Sequence, residues 1–255
     1  MRIAYDIIGD KEKSVAIIGI NTKNPKKVAK EIMKRHNSVK SVLQKIAERK
    51  DTYRLYPCKL LLGDKNTEVI HKEHGYSIKI DPQRVYFSPS EGTERQRIAK
   101  MVKSGENILV MFSGAAPYAI VISKKHPDCK ITCIEINVKG IEYSEKNVRL
   151  NKLYNIKNIC GDVRSIRNIG RFDRIIMPLV ETAIEYLDVA FLHSKKGTII
   201  HLYGLSNEKD NFKDLEEKVR EKTEIYNIKY KIIKRQKVLP YAPRILKVRL
   251  DIKII

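Results

Sequence analysis

ILVMFSGAAPY, residues 108–118, joins an apolar strand pattern to a helix pattern through a turn of small side chains. Outward from this stretch, strand and helix patterns alternate as far as the C-terminus. Such alternation is typical of a doubly wound parallel sheet, because each crossover helix returns the chain to the same sheet. The sequence therefore predicts an α/β domain over residues 85–255, with two late strands forming an antiparallel C-terminal edge.

The first ninety residues follow a different pattern. Two short β-branched runs, residues 2–10 and 14–20, indicate a hairpin-like pair of strands. We expect one helix over residues 24–36 and a second short helix over residues 38–49. Three extended segments with turn signals follow. This order predicts a separate small α+β domain over residues 1–84.

Charge is the strongest feature of the composition. The 255 residues include 51 Lys and Arg against 30 Asp and Glu, a net charge of +21. Such an excess predicts a polyanionic partner, because Lys and Arg near phosphates release condensed counterions. Genome bias or thermal adaptation also produces Lys- and Ile-rich chains, so charge alone leaves both explanations open. The 42% of hydrophobic residues exclude a disordered basic tail.

Cellular location is predicted from what the chain lacks. It has no apolar run of about eighteen residues, so we expect no membrane span. Its first residues do not follow the pattern of a signal peptide. The four cysteines form no CxxC pair, which disfavours both a disulfide scaffold and a zinc site. We therefore expect a protein of the reducing cytoplasm that holds no metal.

Acidic residues follow the next two strands after the opening stretch. Glu135 ends the strand ITCIEIN, where an acid can bind the hydroxyls of a ribose. Asp162, in CGDV, follows the third strand and suits an adenine amino group. Alone, Glu135 is more often a surface charge and Gly114 more often only a turn. Together, in this order, they favour a nucleoside cofactor, and the missing GxGxxG and Walker Lys favour S-adenosylmethionine over phosphate-bearing cofactors.

Ten motifs in order then connect the chain to a known family. They are YDIIGD (5–10), SVLQK (41–45), HKEHG (71–75), VYFSPSEGTERQRIAK (85–100), MFSGAAPY (111–118), IEIN (134–137), NVRLNK (147–152), GDVR (161–164), FDRIIM (172–177) and YAPR (241–244). In this set the chain resembles the archaeal and eukaryotic tRNA (guanine-37) N1-methyltransferases, including their wyosine-pathway relatives. The resemblance implies a class I Rossmann-like methyltransferase sheet with the small N-terminal α+β domain in an RNA-binding or positioning role. It also implies that the elbow-reading domain of many family members is missing from this sequence.

The resemblance implies a set of residues for S-adenosylmethionine. The predicted cofactor-binding residues are Phe112, Ser113, Gly114, Ala115, Glu135, Ile136, Asp162, Val163 and Pro178.

Two residues are predicted to act on the substrate. Methylation of guanine N1 requires removal of the N1 proton, and the resemblance assigns that role to Glu94 in the GTER segment. On its own, Glu94 also fits an acid placed in the first turn of a helix, where the dipole favours it. Arg54 matches a family arginine that contacts the target nucleotide, and the alternative explanation is a strand-edge surface charge.

Three residues are predicted to contact RNA: Arg54, Arg95 and His71. His71 and His74 have the spacing of a metal pair, but without further ligands we expect structural or RNA-facing roles and no metal. The Lys-rich segment of residues 26–34 is expected to follow the phosphates of an anticodon stem-loop.

Three positions depart from the family pattern. The glycine-rich loop reads GAAPY, and Ser90-Glu91 replaces a segment that often carries an arginine. Pro178-Leu179-Val180 stands where the family has Asn-Leu-Pro or Asn-Pro-Pro-Tyr, so the hydrogen bonding to a purine must differ there. This last departure weakens the assignment of the methylated atom more than the assignment of methyl transfer.

The resemblance implies a monomeric enzyme of tRNA modification that methylates the purine at position 37, with N1 of guanosine as the leading acceptor. The alternatives are methylation of 4-demethylwyosine at the same position, aminocarboxypropyl transfer, and a non-catalytic tRNA-binding protein. Titration with S-adenosylmethionine separates the last of these from the enzymes.

Overall fold

The structure is a computed structural model that describes residues 4–47, 53 and 55–255. Its strands are β1 (Tyr5–Gly9), β2 (Ser14–Ile18), β3 (Val39–Lys45), β4 (Cys58–Gly63), β5 (Val69–Glu73), β6 (Tyr76–Ile80), β7 (Asn107–Met111), β8 (Lys130–Glu135), β9 (Ile156–Cys160), β10 (Phe172–Met177), β11 (Ser194–Asn207), β12 (Tyr230–Ala242) and β13 (Ile245–Ile254). Its helices are α1 (Pro25–Arg35), α2 (Gly92–Met101), α3 (Pro117–Lys125), α4 (Val138–Leu150), α5 (Leu187–Leu192) and α6 (Lys213–Ile225).

The chain divides into two compact units. Unit 1 comprises Met1–Gly92, Gly114–Ala116 and Asn137–Lys152. Unit 2 comprises Thr93–Ser113, Pro117–Ile136 and Leu153–Ile255.

Unit 1 contains a four-stranded sheet in the order β1-β2-β3-β4. The predicted hairpin is confirmed, since β1 pairs antiparallel with β2. Helix α1 is also confirmed, with Pro25 in its first turn, and it buries Val28 and Ile32 against the sheet. Pro is well placed there because its missing N–H has no helical partner at that position.

The second helix predicted over residues 38–49 is wrong, because residues 39–45 of this segment form strand β3. β3 pairs parallel with β2 and antiparallel with β4, and Val39, Val42 and Leu43 are buried. β-branched Val side chains suit a pleated, covered surface, and burial between two strands outweighs the local helix pattern.

Helix α4 of unit 1 holds the hairpin β5–β6 through two asparagine side chains. The Asn147 amide accepts from Lys79 N (2.6 Å) and donates to Lys79 O (3.0 Å). The Asn151 amide makes the same pair of bonds with Ser77 N (3.0 Å) and Ser77 O (2.7 Å). Each amide therefore replaces a neighbouring strand along the edge of β6, which explains the NVRLNK motif structurally.

Unit 2 contains a seven-stranded sheet in the order β12-β13-β11-β10-β7-β8-β9. Strands β7, β8, β9, β10 and β11 run parallel, as predicted from the strand–helix alternation. β13 is antiparallel to both β11 and β12, so the reversed strand lies one place inside the edge. The predicted Rossmann-like α/β fold with an antiparallel element at its C-terminal edge is confirmed.

The core of unit 2 lies on the faces of this sheet. Apolar side chains from β7, β10 and β11, such as Leu109, Ile175 and Leu202, are fully buried with those of α5 and α6. The carboxyl ends of the parallel strands are thereby fixed relative to one another, and ligands bind at that edge in open α/β sheets. Within the described ranges, no helix is both long enough and apolar enough to cross a membrane.

Candidate functional site

Three neighbouring strands of unit 2 end side by side. In register, Met111 at the end of β7 faces Ile134, and Glu135 at the end of β8 faces Cys160 of β9. Adjacent strands lie about 4.8 Å apart, so groups that follow these ends can contact one small ligand together. The acid predicted to bind a ribose, Glu135, is the last residue of β8 and is 9% exposed.

The turn after β7 has an unusual backbone. Phe112, Gly114 and Ala116 have φ values of 55°, 55° and 61°, in the left-handed region. Side chains other than glycine rarely adopt this region, and such strain concentrates at ligand sites. The Ser113 N–H donates to Ile134 O (3.0 Å), which ties the turn to β8.

Two further observations concern the polar groups of this turn. Ser113 Oγ is buried, and its recorded side-chain neighbour is the weakly hydrogen-bonding thiol of Cys133. Ala115 O accepts a hydrogen bond from Asn147 Nδ2 (3.2 Å) inside unit 1. A buried hydroxyl is costly to leave without a partner, so Ser113 is a candidate ligand contact.

The turn after β9 presents Asp162, which is half-buried. Its Oδ1 accepts from Arg164 N (2.9 Å), and this bond fixes the carboxylate against its own turn. Gly161 N donates to Glu135 O (2.9 Å), and Gly161 has a φ of 153° that favours glycine. The predicted neighbours Ile136 and Val163 flank these acids, half-buried and buried respectively.

An aromatic group beside this edge was missed by sequence reasoning. Phe112 and Tyr186 meet edge to face, with ring centroids 4.9 Å apart. The Arg164 guanidinium lies 3.9 Å from the centroid of the Tyr186 ring. Contacts of both kinds orient rings, so Tyr186 holds the Phe112 ring in place. The sequence carries no signal for this, since Tyr186 lies in a short 3₁₀ turn distant in sequence from Phe112.

These residues of unit 2 fit an adenosine-type cofactor. Glu135 provides acceptors for hydroxyl groups, Asp162 provides an acceptor for an amino group, and Phe112 provides an aromatic surface. Ser113, with its buried hydroxyl, provides one more polar contact.

Pro178, the first residue after β10, is half-buried. Leu179 O accepts from Ala183 N (3.0 Å), which turns the chain into the following 3₁₀ segment. Pro178 has no N–H and no polar side-chain atom, so it can accept through its carbonyl but cannot donate.

The predicted base Glu94 lies in the first turn of α2 and is 2% exposed. Its Oε1 accepts from Tyr203 OH (2.8 Å) on β11 and from Arg249 Nη1 on β13. Its Oε2 accepts from Arg97 Nη1, one turn along the same helix. The helix dipole is therefore a small part of its environment, because three side chains bind the carboxylate directly.

Arg249 leads from Glu94 into a buried polar cluster. Its Nε donates to Asp251 Oδ1 (2.7 Å) and its Nη2 to Asp251 Oδ2 (3.2 Å). Asp251 Oδ1 also lies 2.6 Å from His201 Nδ1, and His201 Nε2 lies 2.6 Å from Arg174 Nη1. Because arginine can only donate, His201 Nε2 must accept, and Nδ1 carries the single proton toward Asp251.

The pKa shifts agree with that assignment. Complete burial lowers the pKa of His201 and keeps the ring neutral, although Asp251 opposes the shift. Burial alone would raise the pKa of Asp251, but the hydrogen bonds and charges of His201 and Arg249 outweigh it and lower the pKa to about 2. Burial raises the pKa of Tyr203, and Tyr118 and Glu94 add to the increase.

The predicted RNA contacts have different surroundings. Arg95 is 1% exposed, so RNA would reach its guanidinium only after a rearrangement, whereas the side chain of Arg97 is 32% exposed. In unit 1, His71 Nδ1 accepts from Gly9 N (3.3 Å), and the ring lies 5.0 Å from that of Phe87. Its contacts are structural ones. Arg54 lies outside the described residues.

Helix α1 exposes a row of cations: Lys26, Lys27, Lys30, Lys34 and Arg35. Beside it, a cleft of about 770 Å³ within unit 1 is lined by Tyr5, Asp6, Glu31, Arg35 and Lys45 among others. The cleft itself mixes both charges, so the basic character belongs to the exposed face of the helix.

Comparison with known proteins gives a consistent result. The family model described as "TRM5/TYW2 methyltransferase domain" matches residues 69–233. The chain is 35% identical over 254 residues to tRNA (guanine(37)-N(1))-methyltransferase Trm5b of Pyrococcus abyssi, covering 98% of this chain and 74% of that protein. It is 30% identical to the tRNA (guanine(37)-N(1))/4-demethylwyosine(37)-methyltransferase Taw22 of Nanoarchaeum equitans, covering 95% and 98%.

Solved structures extend the likeness to the fold. One, described as the complex of aTrm5 and tRNALeu, has a TM-score of 0.85 and 32% identity, covering all of this chain and 73% of that one. Another, Methanocaldococcus jannaschii TYW2 in complex with AdoMet, has a TM-score of 0.73 and 27% identity, covering 98% and 99%.

Proposed function

This chain belongs to the TRM5/TYW2 methyltransferase family, and from that premise we propose that it is an S-adenosylmethionine-dependent tRNA methyltransferase. It modifies the purine at position 37, and N1 of guanosine is the acceptor atom. The observation that carries this proposal is Glu94, a carboxylate almost fully enclosed by unit 2 in the segment that matches the family base.

The cofactor is S-adenosylmethionine, which supplies an electrophilic methyl group on its sulfonium. Glu135 would bind the ribose hydroxyls, Asp162 the adenine amino group, and the turn from Phe112 to Ala115 the remainder. Ile136, Val163 and Pro178 would shape the surroundings of the same edge. The chain's own contribution to transfer is orientation, since holding the reacting atoms in line replaces a costly encounter between them.

Glu94 would accept the proton of guanine N1. Its two oxygens are bound differently, because the partners of Oε1 are buried while Arg97, the partner of Oε2, is partly exposed. Oε2 is therefore the oxygen that the base edge can reach once Arg97 moves aside. Loss of the proton makes N1 a nucleophile toward the methyl group.

tRNA is the partner, with the anticodon stem-loop as the part that is held. The net charge of +21 and the exposed cations of α1 support this, since phosphate contacts dominate the affinity of proteins for nucleic acid. Arg54 would contact the target nucleotide, and residues 1–84 would position the RNA. A monomer in the cytoplasm, without a bound metal, completes the proposal.

A second candidate acceptor is 4-demethylwyosine at the same position. Pro178 favours it, because this strand end has no side-chain donor for the edge of guanine. The Nanoarchaeum equitans relative is named for both acceptors, guanine 37 and 4-demethylwyosine 37.

The decisive experiment offers the protein both acceptors. tRNA carrying guanosine or 4-demethylwyosine at position 37 is incubated with S-adenosylmethionine, and the digested nucleosides are identified by mass spectrometry. We expect 1-methylguanosine from the first substrate. A tRNA with adenosine at position 37 is the control, because its N1 carries no proton for a base to remove.

Each other product would change the assignment. An isowyosine-type product alone would transfer the assignment to the wyosine precursor, and an aminocarboxypropyl product would contradict methyl transfer. Calorimetric titration of the protein with S-adenosylmethionine is run in parallel with the mass-spectrometry assay. No binding of S-adenosylmethionine would leave a tRNA-binding protein as the correct description.

A further inference from the structure

A single buried guanidinium lies between two carboxylates in unit 2. Arg249 is fully buried, and it donates from Nη1 to Glu94 and from Nε and Nη2 to Asp251. The one positive charge of Arg249 therefore lies between two negative charges, those of Glu94 and Asp251. Without Asp251, no carboxylate bound to Arg249 besides Glu94 would offset the effect of its positive charge on Glu94.

On the side away from Arg249, Asp251 contacts a neutral group, the ring of His201. His201 donates from Nδ1 to Asp251, and its Nε2 accepts from Arg174. Arg174 in turn is bound by Glu106 through Nε (2.7 Å) and Nη2 (2.8 Å). The Glu106–Arg174 pair is thus neutral by itself and is separated from the Arg249 pair by an uncharged ring.

From this arrangement we infer that Asp251 is a positioning residue for the proton transfer, acting on Glu94 through Arg249. It holds the Arg249 guanidinium through Nε and Nη2, and Arg249 in turn orients Glu94 through Nη1. The inference rests on the proposed role of Glu94 as the base.

The other groups around Glu94 are few and identifiable. Tyr203 donates to Oε1 from β11, and Arg97 to Oε2 from α2 itself. Behind Tyr203 lie the Tyr118 ring of α3, 6.0 Å between centroids, and Lys247 Nζ of β13, 4.8 Å from the Tyr203 centroid. Among these charged groups, Asp251 is the one whose negative charge opposes the cations around Glu94. Its removal should therefore shift the acid midpoint of the rate in one direction, downward.

The test compares Asp251→Asn with Glu106→Gln in the full chain. Both remove one negative charge from a buried arginine, but only the first arginine touches Glu94. Single-turnover methyl transfer is measured from pH 5 to 9 at saturating S-adenosylmethionine and tRNA. For Asp251→Asn we expect the acid midpoint of the rate to fall by about one pH unit, the effect of one charge at this range. The plateau rate should fall several-fold, because a weaker base transfers the proton less well.

Glu106→Gln should keep the wild-type midpoint and a rate within about twofold, since the neutral His201 separates it from Glu94. Tyr203→Phe is the third variant, because it keeps the volume and removes one donor to Glu94. Losing a hydrogen bond to the charged form should move the midpoint up, opposite to Asp251→Asn. A purely structural cluster would lower stability in these variants without opposite shifts.

The outcomes separate the two proposals. A wild-type protein that binds S-adenosylmethionine but methylates neither position-37 substrate overturns the proposed function, and this inference with it. An active wild type whose midpoint is unchanged in Asp251→Asn overturns the inference alone, whatever Tyr203→Phe shows. Should Asp251→Asn not fold, an unchanged midpoint in Tyr203→Phe still overturns it, and an upward shift supports it.

Discussion

Replacing Glu94 by Gln removes the proposed proton acceptor while keeping its shape. General-base catalysis by a positioned side chain contributes about 10²- to 10⁴-fold, so the single-turnover rate should fall by that factor. Gln retains an oxygen that can accept from Tyr203 and Arg249 but cannot neutralise either arginine. Hydrogen bonds to charged groups contribute about 1.5–3 kcal/mol, so the free energy of unfolding should fall by roughly that amount.

The assay measures both effects on one preparation. 1-Methylguanosine is quantified by mass spectrometry after single turnover, S-adenosylmethionine affinity by calorimetry, and stability by urea unfolding. Cofactor affinity should remain near wild type, because Glu94 belongs to α2 and not to the strand ends that carry Glu135 and Asp162. Glu142→Gln, at an exposed pair with Lys139, is the matched control. A Glu94→Gln protein that keeps its rate within threefold of wild type would refute the assignment of Glu94 as the base.

Three further predictions concern the cofactor edge and stability. Glu135→Ala should weaken S-adenosylmethionine binding by about 1–3 kcal/mol, the range for losing hydrogen bonds to a charged group, and unchanged calorimetric affinity would contradict the ribose role. Asn147→Leu loses its bonds to β6 and Ala115, so urea unfolding should show a loss of about 1–3 kcal/mol; a wild-type free energy of unfolding would be inconsistent with an anchoring role. Because the pKa of His201 is lowered in the fold, the unfolded chain binds more protons below about pH 6.5, and the free energy of unfolding should decrease there as pH falls. His201→Gln should flatten that dependence between pH 7 and 5, and an unchanged slope would place its origin elsewhere.

The order of elements in unit 2 was predictable from sequence. Its strands carry apolar runs and its helices carry amphipathic patterns, so each segment indicates its own state without reference to partners. The acids after β8 and β9 were also accessible, because strand-end positions follow directly from the strand pattern. Both Glu135 and Asp162 lie at the predicted strand ends.

The pairing of strands and the burial of side chains could not be predicted from the sequence in the same way. The segment that became β3 has a helix-like arrangement of apolar residues, and only its position between β2 and β4 makes it a strand. Arg95 is predicted from the sequence to contact RNA, yet its side chain is enclosed. Local patterns do not specify which partner will cover a side chain.

The buried cluster shows the same limit for the site. Lys247, Arg249 and Asp251 alternate along β13, a pattern typical of a solvated strand face, but all three are buried. The sequence did contain a signal for burial, because an acidic residue, Asp251, that alternates with basic ones can neutralise their charge. Its partners His201 and Glu94 are 50 and 155 residues away, so the pairing becomes visible only in three dimensions.

Unit 1 is built from three separate segments of the chain, so its parts are synthesised at different times. Hairpin β5–β6 leaves the ribosome well before the two asparagines of α4 that complete the edge of β6. At about 5–20 residues per second, the roughly 70 intervening residues take some 3–14 seconds to appear. For that interval the nascent hairpin has an uncovered strand edge, which is the kind of surface that other chains pair with. Unit 1 therefore begins to emerge first but is completed only after α4 has been made.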